Sequence, residues 1–257
     1  MNVDLSNIEG KIVKPQEGFQ EAFVSTTVDV VGGGGILAAG KSFALVLAMA
    51  EPLMTDPNFR GLISRKAIQS LKAGGGFVEK FKQIFGEFCS VKESDNPRVS
   101  FPNGSFCDLT YIDDSDMVRL RERAKGWEYD VIGIDEMTEM SFECFTYIMT
   151  RNRGNSKTFT GKVFFTLNPK RSHWTREFLD WYIGVDGFIR PDRDGKVRYF
   201  YINGSTVKDV DGSWSHTEGG WTVSGENIRQ WRQKYAELRE KWGEKVMTKS
   251  RIRIVSL

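Results

Sequence analysis

The sequence is short of the residues that build metal centres and disulfide frameworks. Its 257 residues include three cysteines, Cys89, Cys107 and Cys144, and no two of them form a C-x-x-C pair. It has only two histidines, His173 and His216, which lie far apart in the chain. These spacings argue against a zinc site and a disulfide scaffold, and they fit a reducing compartment. The cysteines are therefore predicted to be small core residues.

Long hydrophobic runs and an excess of one charge are also missing. No stretch is apolar enough to cross a membrane, and the N-terminus lacks a signal-peptide pattern. The formal net charge of +2 is too small to indicate nucleic-acid binding by itself. Basic side chains gather in residues 60–82 and 229–253, where they either contact phosphates or form a solvated face. The length and the 40% apolar content suit one large domain, or one domain with a small appendage.

The most informative segment is a glycine-rich run that begins at Gly35 and reads G-I-L-A-A-G-K-S. It fits the phosphate-binding P-loop pattern G-x-x-x-x-G-K-[ST]. A strand is predicted before it, over residues 28–31. A helix is predicted after it, over residues 43–54, ending near Pro52 and Pro57. Strand, glycine turn and helix form the setting that this motif requires.

The residue types of the motif match the chemistry of a nucleotide site. Gly35 and Gly40 let backbone N–H groups surround a phosphate at the positive end of the helix dipole. Lys41 is predicted to reach the β- and γ-phosphates, and Ser42 to ligate Mg²⁺.

A second motif is an apolar strand, residues 129–134, that ends in the adjacent acids Asp135 and Glu136. This pattern is typical of a Walker B segment. Asp135 is predicted to join the Mg²⁺ shell at the carboxyl end of the strand, where open α/β sheets bind ligands. Glu136 would then lie beside the γ-phosphate and activate a water molecule as general base. The adjacent glutamate favours hydrolysis over transfer to an alcohol.

A further buried strand, predicted over residues 162–167, ends in Thr166 and is followed by Asn168 and Pro169. In P-loop ATPases with an additional strand between the two Walker strands, a polar residue here senses the γ-phosphate. Thr166 or Asn168 could hydrogen-bond the attacking water or that phosphate. The alternative is a simple strand-ending turn, because Asn-Pro is a common turn dipeptide.

Strands and helices alternate along the chain, which predicts an α/β fold. We expect a P-loop NTPase with a central, mostly parallel β-sheet flanked by helices, of the additional-strand class with a catalytic glutamate. Besides those above, strands are predicted at 60–65, 99–101, 105–112 and 197–202, and a polar, glycine-rich loop at 203–224. Further helices are predicted at 20–24, 68–88 with a break at 74–76, 113–123, 141–150, 172–183 and 226–247.

Taken in order, these motifs resemble the ATPase domain of the large terminase subunit of tailed bacteriophages, the motor that pumps DNA into proheads. The matching segments are 14–23, 35–42, 65, 101–105, 126–136, 166–169, 173–174 and 194–199. The resemblance extends over nearly the whole chain. The P-loop and Walker B motifs are generic, whereas the ordered set is specific to this family.

The resemblance implies several further properties. ATP and Mg²⁺ would be the cofactors, Gln20 would read the adenine edge, and Thr166 and Asn168 would couple hydrolysis to movement. Double-stranded DNA would pass a homo-oligomeric ring docked on the portal protein, with the small terminase subunit as another partner. The isolated domain would be monomeric and would hydrolyse ATP slowly. It would act in the host cytoplasm, transiently at the portal vertex of the prohead, outside the mature virion and away from membranes.

The arginines depart from the family pattern. Many terminases carry an arginine at the variable P-loop positions, here residues 36–39, which hold none. In related motors an arginine before Walker B completes the neighbouring subunit's site in trans. Arg123 is the first candidate for this catalytic role, with Arg121 beside it and Arg151 and Arg153 as the next candidates.

Three regions are predicted: an adenine-motif segment at 1–26, the P-loop ATPase core at 27–203, and a lid or linker with an amphipathic helix at 204–257. Large terminases usually continue into a nuclease domain, so the resemblance implies an excised motor domain or a split gene, without nuclease activity. Residues 250–257 read as the start of a strand. Two other functions remain open: another P-loop DNA motor, such as a helicase or recombinase, and a non-catalytic nucleotide-binding switch.

Overall fold

The computed structural model describes residues 13–35, 40–67, 71, 74–94, 96–156, 158–159, 161–203, 206–209, 214–215 and 247–255, and from residue 199 onward only their backbone. The described strands, numbered β1 to β11 in chain order, are Val30–Gly34, Arg60–Arg65, Ser90–Lys92, Arg98–Ser100, Phe106–Tyr111, Val131–Ile134, Lys162–Leu167, Val197–Asn203, Thr206–Asp209, Trp214–Ser215 and Met247–Val255. The described α-helices, numbered α1 to α6, are Phe19–Val24, Lys41–Thr55, Phe77–Phe85, Met117–Arg123, Phe142–Met149 and Trp174–Phe178. Short 3₁₀ turns follow α3 and β6, at Gly86–Phe88 and Met137–Glu139.

The described strands form one sheet in the order β10-β9-β8-β11-β1-β7-β6-β2-β5-β4-β3. The central run from β11 to β5 pairs in parallel, and the strands beyond it on either side pair antiparallel. Strand β7 lies between the P-loop strand β1 and the Walker B strand β6. The predicted α/β fold with an additional strand is therefore confirmed.

The register aligns the carboxyl ends of the central strands. Gly34 pairs with Leu167 across β1 and β7, Ile134 pairs with Phe165 across β6 and β7, and Ser64 pairs with Ile134 across β2 and β6. Segments that follow these strands must therefore emerge at one edge of the sheet. This edge carries the P-loop, the two acids and Thr166.

Helices cover both faces of the sheet. On one face, α1, α2 and α3 pack in a cluster that includes Phe23, Leu45 and Phe81. On the other face, α4, α5 and α6 pack in a cluster that includes Phe145 and Phe178. Cys107 and Cys144 are buried, as predicted, whereas Cys89 is half-buried, and all three thiols are free.

Close packing of α1 against β1 explains one glycine of the first strand. A Cβ atom on Gly33 would lie 2.6 Å from the ring of Phe19 and 3.0 Å from that of Phe23. Only a residue without a side chain allows this approach. The packing brings the start of α1 close to the P-loop.

Helix α2 ends at Thr55, between Pro52 and Pro57 as predicted, where Asp56 adopts an extended conformation before Pro57. Several other predicted elements differ from the observed ones. The helix predicted at 172–183 is only the short α6, followed by turns.

The predicted loop at 203–224 contains strands β9 and β10, which pair with each other and extend the edge of the sheet beyond β8. Antiparallel edge strands need little apolar sequence, because one or both faces can remain in water. Met247, predicted as the end of a helix, begins β11, and β11 enters the central sheet between β8 and β1. The rest of that helix, 226–246, lies outside the described residues.

Searched over the described residues alone, no helix is both long and apolar enough to span a membrane. In the same part of the chain, no group of three or more His, Cys, Asp or Glu side chains is arranged to hold a metal ion.

The Walker B strand is anchored at its start by Asp130, which is 2% exposed. Its carboxylate accepts hydrogen bonds from the backbone N–H groups of Arg60 and Ser156, each at 2.8 Å. We expect Asp130→Ala to lower the free energy of unfolding by about 2–4 kcal/mol, because two backbone donors lose their acceptor. Urea denaturation measures this difference. Asp113→Ala, at an exposed turn carboxylate that also accepts a backbone N–H, is the control, and equal losses in both variants would contradict the anchoring role.

Candidate nucleotide-binding site

A polar cavity of about 290 Å³ lies at the carboxyl edge of β1, β7 and β6. It is lined by Gly40, Lys41, Ser42, Phe43, Lys80, Asp135, Glu136, Thr166, Leu167 and Asn168. The predicted catalytic and metal-binding residues, apart from Arg123, therefore converge on one cavity. The parallel sheet brings these residues together, although they lie far apart in the sequence.

The end of the P-loop is shaped by Gly40, which adopts the left-handed conformation (φ 72°, ψ 16°) immediately before α2. The Gln20 side chain is 3% exposed and donates from Nε2 to the Gly40 carbonyl at 3.3 Å. The backbone angle favours glycine, and a Cβ atom here would lie 2.4 Å from that nitrogen and displace the Gln20 side chain. Gln20 thus lies beside the P-loop; its contact with adenine stays a prediction.

Lys41, the first residue of α2, projects along the cavity toward two acceptors. Its ammonium donates to the Gly35 carbonyl at 3.1 Å and to Oδ1 of Asn168 at 2.9 Å. Burial lowers the pKa of Lys41, and the negative charges of Asp135 and Glu136 oppose this shift. The P-loop lysine is therefore linked directly to the polar residue that follows β7.

Ser42 and Asp135 form an oxygen-rich pair that fits a magnesium ion. The Ser42 hydroxyl lies 3.2 Å from both carboxylate oxygens of Asp135. Burial raises the pKa of Asp135, and the Thr166 hydroxyl and the Arg65 charge oppose the shift. A buried carboxylate beside a hydroxyl is a hard-oxygen donor set of the kind that Mg²⁺ prefers, with phosphate oxygens and water completing its shell.

Glu136 is held in a strained turn directly after this carboxylate. Among the described residues it alone combines a side chain with a positive φ (57°, with ψ 51°). Its N–H donates to the Thr166 hydroxyl at 3.1 Å, and that hydroxyl donates to Asp135 at 2.5 Å. Left-handed backbone at a residue other than glycine costs about 1 kcal/mol or more and is concentrated at functional sites. Thr166 therefore fixes the turn that aims Glu136 into the cavity.

Arg65, the last residue of β2, pairs with both acids. Its guanidinium lies 2.5 Å from Glu136 Oε1 and 3.6 Å from Asp135 Oδ2. The sequence marked Arg65 only as a matching position and assigned it no role. Strand β2 neighbours β6 in parallel, so strand order alone would have placed Arg65 beside these acids.

Lys80 lines the cavity but had no sequence signal. It lies in α3, outside both Walker motifs, and appeared in the sequence only as one member of a basic stretch. Its position in the cavity depends on the packing of α3 against α2. No spacing rule connects it to Lys41 or Asp135.

The four arginines considered for action in trans lie outside this cavity. Arg123 donates to the Tyr111 carbonyl at 2.6 Å, and its guanidinium carbon lies 4.5 Å from the ring centroid of Tyr111 and 5.8 Å from that of Trp127. The other three arginines are bound to surface partners, namely Arg121 to Glu143, Arg153 to Glu128, and Arg151 to Thr150 and the Lys125 carbonyl. The role of Arg123 in a neighbouring subunit stays a prediction.

The strand order and the site together define a class of protein. An additional strand separates the P-loop strand from the acid-bearing strand, and the side chains of Lys41, Ser42, Asp135 and Glu136 share one cavity. This is the arrangement of a P-loop NTPase of the additional-strand class with a catalytic glutamate. A family model described as "Terminase large subunit, T4likevirus-type, N-terminal" matches residues 35–248. The chain belongs to this family, which confirms the resemblance and the predicted motor-domain function over a helicase or recombinase.

Solved structures of low sequence identity also match the chain. The ATPase domain of the large terminase of Thermus phage P74-26 is 16% identical, with 89% of this chain and 88% of that chain covered and a TM-score of 0.47. The N-terminal domain of the DNA packaging ATPase of bacteriophage phi29 is 12% identical, with coverages of 62% and 83% and a TM-score of 0.45. The large terminase of a thermophilic bacteriophage in complex with ADP is 13% identical, with coverages of 83% and 68% and a TM-score of 0.41. None of the curated proteins compared with the chain matches it.

Proposed function

We propose that this chain hydrolyses ATP in a Mg²⁺-dependent reaction and couples hydrolysis to the translocation of double-stranded DNA into a prohead. It would act in the host cytoplasm as part of a homo-oligomeric ring on the portal protein, supplied with DNA by the small terminase subunit. The observation that carries the proposal is the position of Glu136. Its carboxylate enters the cavity next to Asp135, on the side where the terminal phosphate of a nucleotide held by Lys41 would lie.

Three cavity residues would act directly on the metal and the attacking water. Ser42 and Asp135 would hold Mg²⁺, which neutralises charge on the phosphate oxygens when bound. Glu136 orients a water molecule and accepts its proton as the water attacks the γ-phosphate. Its Oε1 is paired with Arg65, so the carboxylate would exchange this partner for the water once the nucleotide is in place.

Coupling would begin at Lys41. Its ammonium is bonded to Asn168, and a nucleotide phosphate competes for the same donors. Binding or release of the phosphate therefore changes the partners of Asn168, at the end of β7. Thr166, on the same strand, holds the Glu136 turn, so β7 connects the phosphate end of the site with the catalytic base.

The proposal is tested by steady-state ATP hydrolysis across protein concentrations, with and without Mg²⁺ and double-stranded DNA. We expect turnover per subunit to rise with concentration and to require Mg²⁺, because neighbouring subunits complete each site. Tight ATP binding without turnover in any condition, including the presence of DNA, would contradict the proposal and favour a nucleotide-binding switch.

Mixing two variants tests the trans arginine. Arg123→Ala is expected to lower turnover at high protein concentration by about a thousandfold, the lower end of the effect of an arginine finger. Adding Glu136→Gln protein, which supplies an intact Arg123, should restore part of the activity. Arg119→Ala, at an exposed position of the same helix, is the matched control, and Arg121→Ala tests the second candidate. Full activity of Arg123→Ala would remove it as the trans residue.

A further inference from the structure

Lys80 enters the nucleotide cavity from α3, a helix that belongs to neither Walker motif. It lines the cavity together with Lys41, Ser42, Asp135 and Glu136. Its ammonium donates to the Gly75 carbonyl and lies 5.9 Å from the ring centroid of Phe77, so the start of α3 holds it in place. The side chain is half-buried. Lys80 therefore lies where a bound nucleotide can reach it.

The charges around the cavity indicate what Lys80 would bind. Lys41 and Lys80 are opposed by the carboxylates of Asp135 and Glu136, and Arg65 is bound to both acids. The P-loop positions 36–39 contribute no charged side chain. A triphosphate brings several further negative charges, and Lys41 is the one cation that the P-loop supplies. Mg²⁺ would offset part of this charge, and Lys80 adds a second lysine of the same chain beside the phosphates.

The groups around Lys80 indicate which phosphate of the nucleotide it would bind. Burial lowers the pKa of Lys80, and the charges that act on it most are those of Asp135, which raises the pKa, and Arg65, which lowers it. Asp135 and Arg65 both adjoin Glu136, the proposed base, and Glu136 lines the same cavity as Lys80. An ammonium has three donors, so Lys80 can keep the Gly75 carbonyl and still donate to a phosphate oxygen.

We propose that Lys80 binds the γ-phosphate of the nucleotide, as a second lysine that acts beside Lys41 from outside the P-loop. This inference rests on the proposed function, because it assumes a nucleoside triphosphate in the cavity. In this proposal α3 takes part directly in binding the triphosphate. Release of the γ-phosphate would then remove that contact from the start of the helix.

The test compares the affinities of Lys80→Met and wild-type protein for a non-hydrolysable ATP analogue and for ADP, by calorimetric titration. We expect about tenfold weaker binding of the analogue, a typical loss for one partly exposed charged contact, and less than about threefold weaker binding of ADP. Lys82→Met is the matched control. Lys82 lies in the same helix but pairs with Glu93 at 2.6 Å, outside the cavity, so its variant should bind both ligands as wild type does.

Three results separate the possible failures. If folded Lys80→Met binds the analogue as tightly as wild type, or loses both ligands equally, the γ-phosphate assignment is wrong. Lys80→Gln gives the same comparison if the methionine variant does not fold. If the wild-type protein binds neither ligand, the proposed function itself fails.

Discussion

Replacing Glu136 by glutamine is expected to lower ATP turnover by about a hundredfold to ten-thousandfold, the range for loss of a general base. Nucleotide binding should persist, because Lys41, Ser42 and Asp135 are unchanged. Glutamine has the same shape as glutamate, and its amide oxygen can still accept a hydrogen bond from Arg65. The substitution therefore removes the proton acceptor while keeping the turn. Single-turnover hydrolysis, measured beside equilibrium ATP binding, separates the two steps.

Glu139→Gln is the matched control for this prediction. Glu139 lies three residues later, in the 3₁₀ turn that Glu136 begins, and its side chain is exposed and lies outside the nucleotide cavity. Its variant should hydrolyse ATP as the wild type does. Equal losses in both variants would indicate a general effect on the turn, and undiminished turnover in Glu136→Gln would exclude Glu136 as the base.

Replacing Lys41 by methionine is expected to weaken ATP binding by about a hundredfold or more. Truncating one member of a buried charged contact costs roughly 2–5 kcal/mol, which corresponds to that loss of affinity. In this chain the substitution has a second effect, because Asn168 loses the ammonium to which it is bonded at 2.9 Å. Titration with a fluorescent ATP analogue measures the affinity, and the thermal shift produced by saturating nucleotide provides an independent readout.

A lysine that lies outside the cavity is the control for Lys41. Lys170 follows β7 and donates to the Thr138 carbonyl at 3.3 Å, outside the nucleotide cavity. Lys170→Met should bind the analogue with wild-type affinity. If Lys41→Met retains more than about a third of the wild-type affinity, the cavity is not a triphosphate site of the proposed kind.

The Arg65–Glu136 ion pair relates the effects of these variants to whether a nucleotide occupies the site. Arg65 pairs with the carboxylate that we propose as base, and the same guanidinium approaches Asp135, the proposed metal ligand. A nucleotide with its Mg²⁺ adds positive charge beside Asp135 and negative charge beside Glu136, so it changes the balance that Arg65 maintains. Hydrolysis would then depend on movement of a side chain as well as on the presence of ATP.

Much of the fold could be predicted because its signals are local. The P-loop, strand β2, strand β7 and the hairpin of β4 and β5 each have a turn residue or an apolar run within a few positions. The paired acids after an apolar strand are a local signal of the same kind, and they predict the metal and base positions. Polar edge strands such as β9 have no such signal, since their stability comes from pairing with a neighbour rather than from an apolar face.

The sequence by itself determined the class of fold, the family and the residues of the Walker motifs, because those depend on spacing along the chain. Only the tertiary structure decided how Arg65 and Lys80 contribute to the candidate nucleotide site. Lys80 reaches the cavity through the packing of α3, and Arg65 reaches two acids that line it through the order of the parallel strands. No neighbour in the sequence marks either role. The left-handed turn at Glu136 was likewise decided by a hydroxyl thirty residues later, on β7. Contacts between distant segments, rather than local preference, place the groups that surround the reacting phosphate.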